Sequence, residues 1–244
     1  MRALLIIGIL VTIANVSVGL AGQGEPPGMA RYQVVLLKAG PKWNANRDEA
    51  RHRLMGEHLA YFRDLVKAGT LVAVGPTTSQ GDVKGVLILR GATEEATALA
   101  SADPAVKAGE LVPETRPWLG TAGIGDGYAA RAAEKRIEDI PMESLQLGLL
   151  WRGPSWTPEK TPEIEKLQAS HLAHIGEMAK SGKLVVAGPF LEGGNLRGIF
   201  LFRCSADEAM AMASKDPMVQ AGRLKLEFHT WSVNVGVIPE AKPQ

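Results

Sequence analysis

The sequence repeats itself. Shifted by 113 residues it matches without a gap from Gln33 on Gln146 to Trp118 on Trp231. Gly40-Pro41-Lys42-Trp43 falls on Gly153-Pro154-Ser155-Trp156, and His58-Leu59-Ala60 falls on His171-Leu172-Ala173. Gly75-Pro76 meets Gly188-Pro189, Arg90 meets Arg203, and Asp103-Pro104 meets Asp216-Pro217. A period this long is a domain, since solenoid units run about 20–50 residues. The chain therefore divides into a leader (1–21), a first domain (30–119), a linker (120–143), a second domain (144–236) and a tail (237–244).

Each copy reads β-α-β-β-α-β, the split-βαβ order of a ferredoxin-like α+β domain. A first strand (31–37; 145–151) runs into the Gly-Pro-x-Trp loop. Helical spacing then puts Leu54, His58, Phe62 and Leu65 on one face, matched by Leu167, His171, Ile175 and Met178. Gly69 and Gly182 stand where a helix C-terminal glycine belongs. Apolar runs at 71–74 and 86–89 predict two strands, and Thr93-Glu94-Glu95 and Ser205-Ala206-Asp207-Glu208 open a second helix. The last strand ends at Trp118 or Trp231, and Tyr128 to Ile137 in the linker predicts a short helix. A sheet with helices on one face needs a cover on the other. Two copies in one chain can supply it, packing as an intramolecular dimeric α/β barrel, so the expected state is a monomeric pseudo-dimer or a homodimer.

Leu4 to Leu20 carries no charge, follows Arg2, and exits through Gly19-Leu20-Ala21, as a cleaved signal peptide does. The other reading is a retained anchor, since the run approaches spanning length. After cleavage no membrane partner is expected, and the place of work is periplasmic or secreted. Lys+Arg number 27 against 26 Asp+Glu, which leaves no basic surplus for nucleic acid. The single cysteine, Cys204, rules out an intrachain disulfide and a cysteine metal cluster.

The His on the first helix, the Gly-Pro after the second strand and the Asp-Pro-x-Val-x-Ala-Gly before the last strand resemble the YCII-related domain family. The resemblance covers both repeats. It implies a ferredoxin-like fold, dimeric α/β barrels and a recurring His and Asp linked to enzymatic activity. Here those residues are His58 and Asp103, then His171 and Asp216. Muconolactone isomerase-like enzymes and a dehydrochlorinase of chlorinated hydroxyquinols share the implied fold, but a fold does not fix a reaction.

The pairs invite an acid–base reading, with imidazole moving the proton and carboxylate fixing its tautomer. The competing reading makes His a satisfied core residue and Asp-Pro a helix N-cap with proline at N1. Gly75-Pro76 and Gly188-Pro189 read as strand-terminating turns, or else as a ligand loop. Trp43 and Trp156 could wall a pocket for a flat ligand or pack in the core. Arg90 and Arg203 are strand-end charges that could hold an anionic group. His171 and His174 have metal-like spacing, but Tyr61 replaces the second histidine in the first copy and no third ligand repeats, so no metal is expected. His52 and His229 have no histidine counterpart and read as surface or packing residues. The combined reading is a cofactor-independent lyase or isomerase acting on a small, aromatic or carboxylated molecule. The rival is a non-catalytic binding or structural module with a buried His–Asp hydrogen bond.

Overall fold

The computed structural model describes residues 25–43, 48–78 and 81–239, so the leader lies outside the described residues, as does the end of the tail. The elements run β1 (Met29–Ala39), α1 (Glu49–Lys67), β2 (Leu71–Thr78), β3 (Val83–Leu89), α2 (Thr93–Ala102), α3 (Pro104–Lys107) and β4 (Leu111–Thr121). After α4 (Asp126–Glu134) come β5 (Met142–Arg152), α5 (Pro162–Lys180), β6 (Leu184–Pro189), β7 (Leu196–Phe202), α6 (Ala206–Ala213), α7 (Pro217–Gln220) and β8 (Leu224–Asn234). The fold is mixed α+β. Its eight strands hydrogen-bond in the order β4-β1-β3-β2-β8-β5-β7-β6.

The chain forms two compact units. One is built on Arg31–Trp118, Gly123–Leu145 and residues 229–239; the other is built on Gln146–Phe228 with Leu119–Ala122 and residues 25–30. In the first, β3 pairs antiparallel with both β1 and β2, and in the second β7 does so with β5 and β6. Val34 to Leu37 are buried one after another, as are Val86 to Leu89, so these central strands are covered on both faces. The second unit's core joins Leu150, Phe200 and Phe202 of the sheet to Met178 of α5 and to Ala209 and Ala213 of α6.

Local chemistry explains the helix ends. Asp48 caps α1 by accepting from Arg51 N, and Thr161 caps α5 with Pro162 at its first position. Ser205 and Glu208 form a capping box on α6, whereas α2 starts at Ala92 with no side-chain cap. Gly69 and Gly182 both take φ of +74°, the left-handed turn that ends α1 and α5.

Three expectations need correction. Each copy has one more element than β-α-β-β-α-β, because the Asp-Pro starts a separate one-turn helix, α3 or α7. Gly75-Pro76 and Gly188-Pro189 are not turns. They pair inside β2 and β6, opposite Val86 and Gly85 in one case and Ile199 and Gly198 in the other. Proline costs each strand one ladder donor there, in β6 at the end of the strand order and in β2 between β3 and β8. The linker helix starts at Asp126 and ends at Glu134, before the predicted Ile137, where a 3-10 turn (Ile137–Asp139) takes over. Ile124, Tyr128, Ile140, Val237 and Ile238 are buried, so the segments flanking the domains contribute core rather than spacer.

Candidate functional site

The repeated motifs turn out to hold one another. Gly40 N donates to Glu110 O at 2.8 Å and Lys42 N to Gly109 O at 3.0 Å, clamping the Gly-Pro-x-Trp loop onto the Ala-Gly turn before β4. The second unit repeats the clamp through Gly153 N to Arg223 O and Ser155 N to Gly222 O, both 2.9 Å. A Cβ on Gly40 would sit 2.4 Å from Gly109 O, and one on Gly153 would sit 2.2 Å from Gly222 O. Only glycine allows this approach. The tryptophans at the end of each loop carry cations on their faces. Trp43 has Arg51 at 4.6 Å and Lys84 at 5.3 Å, and Trp156 has Arg152 at 3.6 Å.

The clamp and the one-turn helix fix the aspartate. Asp103 is fully buried, and its Oδ1 caps α3 by accepting from Ala105 N at 3.0 Å. Asp216 does the same for α7 with Met218 N at 2.8 Å. Both carboxylates also meet the inward histidine. His58 Nδ1 lies 2.8 and 2.9 Å from the two oxygens of Asp103, and His171 Nδ1 lies 2.6 Å from Asp216 Oδ2. A carboxylate only accepts, so the network assigns the shared proton to Nδ1 and leaves Nε2 with a free lone pair. Among the described residues neither Nε2 has a protein partner, and neither is sealed from solvent. The imidazole side chains are 13% and 11% exposed, against 1% and 0% for their aspartates. Each ring is braced by an aromatic: Phe62 edge-on to His58 at 4.3 Å, and Phe200 stacked against His171 at 6.3 Å.

Tyr61 and His174, which face each other across the repeat, do one job. Tyr61 donates its hydroxyl to Leu99 O at 2.9 Å, and His174 Nε2 meets Met212 O at 3.0 Å. Leu99 and Met212 are themselves repeat partners. Burial, and then the Asp103 charge, push the Tyr61 phenol above its ordinary pKa, which keeps it a donor. The His171-x-x-His174 spacing is thus occupied by two separate hydrogen bonds. His174→Tyr is expected to change stability by less than about 1 kcal/mol, and His174→Phe to cost about 1 kcal/mol. Chemical denaturation checks it; equal midpoints for the two variants would remove the shared role.

The remaining candidates scatter. Arg90 pairs with Asp126 at 2.6 Å, and Arg203 is exposed and has a partner of its own. Gly75 O accepts from Trp231 Nε1 at 3.1 Å, inside the sheet. His229 is buried and engaged, while His52 is exposed. Burial raises the Cys204 thiol pKa, so it is a poor nucleophile. The second unit also has a cleft of about 470 Å³ lined by Trp151, Arg152, Asn195, Lys225, Leu226 and Glu227. Nothing repeated in the sequence marked it.

Solved structures share the fold. A heme-binding protein from Thermus thermophilus matches with a TM-score of 0.50 at 15% identity, over 86% of this chain and 94% of that one. A mutant chlorite dismutase from Candidatus Nitrospira defluvii matches with a TM-score of 0.51 at 10% identity, over 86% and 93%. At such identities these likenesses concern the fold alone. No curated protein matches the sequence. The family comparison agrees with the motifs just placed in three dimensions: residues 32–118, which hold His58 and Asp103, match the YCII-related domain.

Proposed function

We propose that this chain is an exported, tandem YCII-related protein, two ferredoxin-like halves packed as a dimeric α/β barrel, acting on a small molecule through His–Asp proton transfer. The observation that carries the reading is the double contact at 2.6–2.9 Å between a sealed aspartate and an imidazole whose Nε2 is left unpaired. Asp103 and Asp216 hold the ring in one tautomer and stabilise its protonated form, while Nε2 of His58 or His171 takes or gives the proton. A lyase or isomerase needs only such a proton shuttle and no cofactor.

The heme named for one structural neighbour does not fit the cleft described above. The cleft offers no His, Cys, Met or Tyr as an axial ligand, and neither open imidazole lines it. No heme chemistry is assigned. One observation favours a binding or structural module instead: each aspartate also caps a helix, a task that needs no substrate.

Hydrogen–deuterium exchange separates the two. Small carboxylated or aromatic carbonyl compounds incubated in D2O with the mature chain should exchange a carbon-bound proton, read by NMR. General acid–base catalysis contributes about 10²–10⁴-fold, so H58N with H171N should lose that factor while keeping the fold. Exchange that survives in the double variant, or a double variant that unfolds with no exchange to lose, would favour the module. The leader has its own test. Mass spectrometry of the exported protein should show a chain that starts near Gly22.

A further inference from the structure

Four of the six residues lining the cleft of the second unit, Trp151, Arg152, Asn195 and Lys225, carry side-chain hydrogen-bond donors. A bulge between Leu150 and Trp151 breaks the alternation of β5, so the consecutive Trp151 and Arg152 both line it. Arg152 N donates to Asn195 O at 2.7 Å, and its guanidinium lies flat on Trp156 at 3.6 Å. Two donors in this wall, Trp151 Nε1 and Arg152 Nε, are buried with no acceptor. An unpaired buried donor is costly, so the wall holds an unmet demand for an acceptor. Among the described residues Arg152, Arg197 and Lys225 have no ion-pair partner. Burial, and then the neighbouring Arg152 charge, lower the Arg197 pKa, so the two cations stand near each other.

The first unit shows the same place neutralised. Lys38 stands where Trp151 stands in the second, and it ion-pairs with Glu114, the counterpart of Glu227. Arg116 pairs with that same glutamate. Ala39 replaces Arg152 and Val112 replaces Lys225. One copy closes its charges internally, and the other leaves Arg152, Lys225 and two orphan donors around an open volume, with Arg197 beside Arg152.

We infer that this cleft binds a small monocarboxylate. Arg152 offers a planar fork to the two carboxylate oxygens, and a slight turn on its Trp156 stack brings Nε to an acceptor. Arg197 and Lys225 supply further positive charge, Asn195 a side-chain amide, and Trp151 and Leu226 an apolar wall for the carbon body. Glu227 on the lining sets the limit on charge, disfavouring a dianion such as phosphate. His171 does not line the cleft, so this site stands or falls apart from the proton-transfer reading.

Benzoate titrated into the mature chain at low salt tests it, with the indole Nε1–H signal of Trp151 followed by NMR and affinity by calorimetry. A saturable shift of that signal is expected, with inorganic phosphate binding more weakly. Losing a hydrogen bond to a charged group costs at least about tenfold in affinity, so R152Q should weaken benzoate by that much or more. R152K keeps the charge but not the fork and should also bind more weakly, while K38M in the first unit should bind as wild type. Circular dichroism confirms that each variant is folded. No saturable shift at millimolar benzoate, or equal binding by wild type, R152Q and R152K, overturns the site. Phosphate bound as tightly as benzoate would also overturn it, by showing general screening of surface charge.

Discussion

Asp216→Ala is expected to lower the melting temperature by roughly 5–15 °C, whereas Asp216→Asn should leave the fold nearly intact. The carboxylate is fully buried and accepts from two donors, Met218 N and His171 Nδ1. Alanine strands both. Loss of the cap costs about 1 kcal/mol, and a buried donor left unpaired about 1–3 kcal/mol more. Asparagine keeps the cap, because its Oδ1 still accepts from Met218 N. Its amide then points a donor at His171 Nδ1, and two donors cannot share that bond. The ring must move its proton from Nδ1 to Nε2. That tautomer no longer accepts a proton at the open edge, so Asp216→Asn should cost proton transfer without costing stability. Asp103→Ala should likewise strand Ala105 N and His58 Nδ1. Thermal melts and ¹⁵N imidazole shifts read the two effects separately. An alanine variant that melts with wild type would refute the packing argument, and an asparagine variant that keeps Nδ1–H would refute the tautomer argument.

Gly75→Ala should be the most damaging single methyl in the first unit. An added Cβ would lie 1.7 Å from Ser232 O and 2.8 Å from Ser232 C, both backbone atoms that cannot swing aside. Relief requires β2 to part from β8. That separation gives up the pairing of Thr77 with Trp231 and Thr78 with Thr230, and the bond from Trp231 Nε1 to Gly75 O. The combined loss should exceed about 3 kcal/mol, at the top of the range for overpacking. Gly56→Ala is the matched control. Nothing lies within 4 Å of a Cβ there, the site is an exposed turn of α1, and alanine is the better helix former by about 1 kcal/mol. Urea denaturation of both variants decides: Gly56→Ala should match or exceed the wild-type midpoint. Gly75→Ala at that same midpoint would mean that β2 does not run against β8.

This glycine also shows where sequence stops being informative. Read locally, Gly75-Pro76 is a turn, because glycine and proline punctuate chains far more often than they sit inside strands. The reason for glycine lies more than 150 residues away, in the carbonyl of Ser232, and no local pattern carries it. The Gly-Pro-x-Trp loop is similar. Its repetition marked it as important, but its purpose, a backbone clamp on the turn before the last strand, depends on an approach that only the folded chain makes. The repeat aligns Tyr61 with His174, but their common role is not legible in it, because a phenol and an imidazole are different chemistry. They share only the carbonyl they reach.

What the sequence determined by itself was periodic or doubled. Alternation and helical spacing are local consequences of burying one face, so strands and helices fell within a few residues of where they were expected. The His–Asp partners could be named before their distance was known, because the same two residues recur at the same separation in both copies while their neighbours change. Tertiary structure alone decided the rest. Whether a charge is paired, as at Glu114, or left open, as at Arg152, depends on what three strands bring together from positions far apart in the chain. Electrostatic pairing and close backbone contact act through space, and a linear pattern records them only when duplication happens to preserve both partners.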